Sequence, residues 1–393
     1  MFEEEKKKLQ EKNLLEVNKK YNYQNREIYY DQLRTLAIIG VICCHVGVDF
    51  FFGNKKIYKP NKMFYNYLYL TYGRFIGIPI FIMLSGSLLI NKNYSLTTFI
   101  FKRFIRVFIP YLFWSLIFVS FTIHFQNYKF SKYTIKKVCF GGVGTVGRIL
   151  WFIWMIMIVY IGIFIINLII KLIKSKSKRL ENIFIHFLFI FALTCYTLFN
   201  LGHIRYNKIG YYIFFIPYAI IGYYITHIEF LNWKISKILL ITPIKIVIFS
   251  FIISIHGYIS FTKFWGLKSL KMKKIKTGNY FEFKVIIFTT NIILFFRYLS
   301  KCENKLIQKF NNLISTGYIG DSITSISKCS YGIYFIHYLI LKYLQLGYLN
   351  RIKYYKDPIT WTPFLLISIF NSSWNIIWVL SKIPIINIII GVG

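Results

Sequence analysis

The chain has 393 residues, 56% of them hydrophobic and 20% aromatic, with a mean hydropathy of +0.51. That is too apolar for an ordinary soluble domain, and the apolar residues fall in blocks near membrane-spanning length, so an all-α polytopic transmembrane helix bundle is expected. The formal net charge of +35 fits attraction to anionic lipid or to an anionic substrate such as a phosphate, and equally the Lys, Asn, Ile, Phe and Tyr enrichment of an AT-rich genome.

In chain order, residues 1–29 open with MFEEEKKKLQEKNLLEVNKK, which is charged and lacks the apolar core of a signal peptide. They read as a short cytosolic tail. Residues 30–393 read as one membrane domain with about ten spans, roughly at 33–52, 66–90, 104–123, 149–170, 183–201, 209–226, 238–255, 284–300, 330–347 and 364–390. Pro79 predicts a kink in the second span. Lys245 makes the seventh the weakest, and Pro384 suggests that the last ends as a re-entrant or interfacial piece. No segment shows the alternating ten-residue pattern of a membrane β-barrel.

An even number of spans puts both ends on one side. The basic tail, the RFIR segment and KLIKSKSKR at 171–179 favour a cytosolic N-terminus, while the 263–276 loop with six lysines opposes it. A cytosolic N-terminus is adopted, giving a multi-pass protein of the inner or plasma membrane. No internal repeat or long soluble insertion is visible. The six cysteines form no CxxC pair and no Cys/His cluster with zinc spacing, so neither a disulfide framework nor a metal site is expected. Nucleic acid is not an expected partner. GGVGTVG at 141–147 lacks the order of a nucleotide-binding loop and reads as a flexible loop.

The first span holds Arg34 and His45, eleven residues apart. Eleven helical steps make three turns plus about 20° and a rise of about 16 Å, so both lie on one face, one at the boundary and one near mid-bilayer. An intramembrane titratable group is a functional candidate by default. Proton transfer within the bundle needs a base, and carboxylates are nearly absent from the spans, Asp49 being the one near a helix interior. Histidine is the remaining side chain with a suitable pKa, which makes His45 the candidate base. A buried histidine bonded to a neighbouring backbone is the plainer alternative. Asp49, one turn on, would orient the imidazole or is simply solvated at the boundary.

Four segments carry the rest. DQLRTLAIIGVICCHV holds Arg34 and His45. GIPIFIMLSGSLL ends at Ser85-Gly86, where the glycine would admit a slender ligand. KRFIRVFIPYLFW places Arg103 and Arg106 three residues apart before a Pro-Tyr helix start. SYGIYFIHYLIL aligns Ser330, Tyr334 and His337. LWFIWMIMIVY at 150–160 is a weaker fifth. In this order and spacing they resemble acyltransferase family 3, the integral-membrane O-acyltransferases, over roughly 30–345.

The resemblance implies transfer of an acyl group, usually acetyl, from cytosolic acyl-CoA to a hydroxyl of a cell-surface polysaccharide or lipid-linked sugar. Acetyl-CoA is then the donor, with membrane lipids as surroundings. Arginine suits its phosphates through bidentate, charge-assisted bonds, so Arg34, Arg103 and Arg106 are candidate donor-binding residues, against a plainer snorkelling role. Ser85, Tyr334 and His337 are further substrate-binding candidates. His337 serves equally as polar glue between helices, and no Gly-x-Ser-x-Gly elbow supports Ser85 as a nucleophile. Direct transfer and an acyl-histidine intermediate both stay open. The rival from another class is an exporter or flippase of surface polysaccharide, which the resemblance permits and the missing repeats disfavour. A purely structural scaffold leaves His45 unexplained.

Overall fold

The computed structural model describes residues 27–53, 60–92, 94–142, 145–202, 208–227, 241–248, 250–252, 254–255, 279–302, 304–347 and 358–392. The 1–29 tail and the lysine-rich 263–276 loop fall almost wholly outside them. The principal helices are α1 (Tyr29–Gly53), α2 (Pro60–Leu89), α3 (Arg106–Gln126), α4 (Lys132–Cys139), α5 (Trp151–Lys174), α6 (Lys178–Asn200), α7 (Ile216–His227), α8 (Phe283–Lys301), α9 (Lys305–Ser315), α10 (Gly317–Gly347) and α11 (Pro358–Leu380). No strand occurs among the described residues.

Among the described residues, eight helices are long and apolar enough to cross a membrane. The count of ten is not reached at two places. The seventh expected span is a short apolar helix at Ile241–Ile252. The ninth is part of α10, which has 31 residues and starts well before position 330. Asp321, Lys328, His337, Lys342 and a run of serines lower its hydropathy. Its apolar side is buried instead against the bundle: Ile333 and Phe335 are fully covered. The lipid-facing surface is carried elsewhere, by exposed Leu116, Leu172 and Phe187 on α3, α5 and α6.

Small residues set the close helix contacts. A Cβ on Gly73 would fall 2.4 Å from the Cys44 backbone nitrogen and 2.5 Å from the Gly40 carbonyl oxygen, so only glycine lets α1 and α2 approach this closely. The two helices run antiparallel, with Tyr30 bonded to Ser87 at one end and Gly73 on Cys44 further along. Gly86 does the same for α7. A Cβ there would lie 1.9 Å from the Ala219 carbonyl oxygen. This glycine is filled by a neighbouring helix, and the expected room for a slender ligand does not exist at its Cα.

α10 lies beside α1 and runs the same way, from contacts of 31–35 with 323–327 to His45 against His337 at 5.3 Å. Thr35 donates to the Ile323 carbonyl at 3.1 Å, and Ser327 donates to Asp31 at 2.6 Å. α3 covers the other side of α10, where Trp114 stacks on Phe335 at 5.6 Å and Tyr331 donates to the Val107 carbonyl. After α11 the chain turns at Pro384–Ile385 into a short helix, Ile386–Ile390, whose last carbonyl accepts a bond from Trp114. The final stretch thus folds back into the bundle.

The glycine-rich segment also differs from expectation. Thr145, Val146 and Gly147 are buried and lead into a 3-10 turn at Val146–Leu150. A Cβ on Gly147 would sit 2.2 Å from the Val138 carbonyl oxygen. Glycine here serves close packing against α4, and the described part of this segment is a packed connection.

Candidate active site

A cavity of about 330 Å³ opens among α1, α2, α3, α5 and α10. Four cations reach it: Arg34 from α1, Arg103 and Arg106 from the start of the third span, and Lys328 from α10. Ser85, Ser327 and Ser330 add hydroxyls, and Leu84, Phe152 and Ile156 supply an apolar wall. A charged mouth joined to an apolar wall suits a ligand with an anionic head and an uncharged arm.

Local structure explains how the cations converge. Residues Ile100–Ile105 form a π-helical turn before α3. The extra residue per turn re-aims side chains relative to an α-helix, and both Arg103 and Arg106 line the cavity. The Arg103 Nε is buried with no hydrogen-bond partner. Arg34 is held by Asp31 one turn earlier, at 3.4 Å. Asp31 is itself fully buried and accepts from Ser327. This acid was missed because it precedes the expected span boundary at 33. Ser85 donates back to the Phe81 carbonyl at 2.9 Å, an ordinary bond for a helical serine.

The inner limit of the cavity is Tyr334. Its ring packs 5.0 Å from Phe152, and its hydroxyl donates to the Ile149 carbonyl. His337 follows, with ring centroids 6.0 Å apart, and His45 lies 5.3 Å beyond His337. Neither histidine lines the cavity itself. The parallel course of α1 and α10 brings the two imidazoles to one depth.

The hydrogen bonds of the pair are informative. His337 is wholly buried, and its Nδ1 lies 3.0 Å from the Ile333 carbonyl oxygen. A carbonyl only accepts, so Nδ1 carries the proton and the neutral ring keeps a lone pair on Nε2. That Nε2 is buried without a partner, and so is the Nδ1 of His45. Buried polar atoms are nearly always paired, and exceptions concentrate at working sites. His45 also packs against Tyr338 at 5.1 Å. Lys342 lies 5.3 Å from the Tyr338 ring centroid, and Arg74 follows Gly73, which packs on Cys44 next to His45.

The structure therefore gathers Arg34, Ser85, Arg103, Arg106 and Tyr334 at the cavity and stacks His337 and His45 behind Tyr334. The side chain of Asp49 lies outside the described residues. Among the described residues, no group of three or more His, Cys, Asp or Glu side chains is placed to hold a metal ion. Lys328, Arg74, Arg148 and Lys342 were not legible as site residues, because single cations in a chain of net charge +35 carry no signal of their own.

A family model for acyltransferase family 3, described as an acyltransferase domain, matches residues 27–378. No curated protein and no solved structure matches the chain.

Proposed function

The chain belongs to acyltransferase family 3 and is a membrane acyltransferase; on that premise we propose that it transfers acetyl, or another short acyl group, from cytosolic acyl-CoA to a hydroxyl of a surface polysaccharide or its lipid-linked precursor. The observation that carries this reading is one succession of side chains. Four cations surround a cavity whose apolar end reaches Tyr334, and two histidines with unpartnered ring nitrogens follow directly behind it.

Arg34, Arg103, Arg106 and Lys328 hold the phosphates of the donor at the cytosolic mouth. The guanidinium fork matches phosphate oxygens, and the buried Arg103 Nε has a donor to spare. The uncharged arm lies along Leu84, Phe152 and Ile156 and brings the thioester past Tyr334. His45 then takes the proton of the acceptor hydroxyl as its oxygen attacks the thioester carbonyl. The tetrahedral intermediate collapses, the carbon–sulfur bond breaks, and the thiolate leaving group recovers the proton from His45. His337, fixed by the Ile333 carbonyl, presents its Nε2 lone pair toward the same space and acts as an acceptor for the incoming hydroxyl or for protonated His45. The protein works in the inner or plasma membrane.

Mass spectrometry of surface glycans tests the reading. A deletion strain is expected to lose an acyl mass that the restored gene returns. Glycans identical in mass but missing from the surface would instead support an exporter.

A further inference from the structure

His45 has a second set of neighbours, on the side away from the donor cavity. Arg74, Arg148 and Lys342 are carried by the elements that meet there, and none of the three lines that cavity. Their places in the helices agree. Arg74 precedes Ser85 by eleven residues on α2, about 16 Å along the axis, which is the distance that separates His45 from Arg34 on antiparallel α1. Gly73, its neighbour, touches Cys44, the neighbour of His45. Lys342 stands eight residues past Tyr334 on α10, about 12 Å farther from the cavity. Arg148 adjoins Ile149, whose carbonyl accepts from Tyr334.

Aromatic rings separate these charges. Arg74 lies 5.5 Å from the Tyr280 ring centroid, and Lys342 lies 5.3 Å from that of Tyr338. Tyr338 is the ring packed on His45, and Trp151 is 6.2 Å from Tyr280. Arg74, Arg148, Lys342 and His45 are all half-buried, whereas His337 is fully covered. Guanidinium and ammonium groups bind carboxylate and phosphate oxygens through charge-assisted bonds, and these strengthen in a medium of reduced dielectric.

We propose that this cluster is the acceptor site and that it selects an anionic glycan, one carrying a carboxylate or a phosphate beside the hydroxyl to be acylated. The inference rests on the acyl-transfer reading above and deepens it by naming the acceptor class. Donor and acceptor then reach His45 from opposite sides, each held by its own cations.

The test uses the full-length protein in membrane vesicles, labelled acetyl-CoA, and surface glycan isolated from a deletion strain. The glycan is offered untreated, after reduction of its carboxyl groups, after removal of its phosphate esters, and after both. Transfer is expected to fall at least about tenfold with one of the single treatments, which identifies the anion, since a charge-assisted bond is worth about 1.5–3 kcal/mol. Transfer that survives both treatments overturns the inference while leaving the acyl-transfer reading intact. No transfer to untreated glycan overturns that reading, and this inference with it. Arg148→Gln combined with Lys342→Gln is expected to raise the KM for untreated glycan about tenfold or more, with little change in the KM for acetyl-CoA. Arg148→Lys is expected to recover at least half of the loss caused by Arg148→Gln. Equal losses toward charged and neutralised glycan, or in both KM values, would overturn the assignment.

Discussion

The cavity mouth and the histidine pair use polar groups in opposite ways. At the mouth, Arg34 is tied to Asp31, Asp31 to Ser327, and Arg106 faces solvent. Polar partners are shared there, the buried Arg103 Nε excepted, and water is near. At the pair, His337 is sealed, and His337 Nε2 and His45 Nδ1 have no partner. The difference separates two tasks. Charge recognition works at a wet surface, where a long anionic ligand must arrive and leave. Proton transfer works better where no fixed partner competes for the lone pair and little water dilutes the interaction.

The largest effect expected from this contrast is at the pair. His45→Ala should lower the transfer rate by about 10²–10⁴-fold, the usual worth of a general base, with donor affinity retained. Initial rates at saturating acetyl-CoA check this, and a merely doubled KM with normal kcat would place His45 outside the chemistry. At the mouth the pattern should reverse. Arg103→Ala with Arg106→Ala is expected to raise the KM for acetyl-CoA by about ten- to a hundredfold and leave kcat within a few-fold. An unchanged donor dependence would remove both residues from the site.

Two smaller effects probe what joins the regions. Asp31→Asn weakens the hold on Arg34 while keeping a partner for Ser327, and should raise the donor KM about three- to tenfold. Donor titration of the purified variant reads this directly. Tyr334→Phe removes one buried hydroxyl bond to the Ile149 carbonyl but keeps the ring against Phe152. A loss of about 1 kcal/mol in stability is expected, measured by thermal unfolding in detergent, with donor affinity near normal. A large change in donor KM would mean that the tyrosine contacts the donor through its hydroxyl.

Much of this arrangement could be read in the chain before folding. α1 was clear because an apolar block of spanning length carries Arg34 and His45 at a spacing that fixes their common face. α10 was only half visible. Its charged and hydroxyl residues depress hydropathy in the part that lines the cavity, so only the apolar portion after 330 stood out. Gly86 was misread because sequence shows that a glycine leaves space, and only the fold shows that Ala219 fills it; the loop expected around Gly147 is packed because Val138 lies against that glycine. Asp31 escaped notice because burial of a carboxylate depends on Ser327, almost three hundred residues away. Arg74 and Lys342 were hidden by the abundance of other cations.

The central claim is that a donor held by the arginine cavity is consumed at His45. Labelled acetyl-CoA, wild-type and His45→Ala protein in vesicles, and deletion-strain glycan test it in one measurement that follows both bound donor and label on glycan. The account predicts equal donor binding by the two proteins and transfer by the wild type alone. Label reaching glycan at a comparable rate with His45→Ala would contradict it.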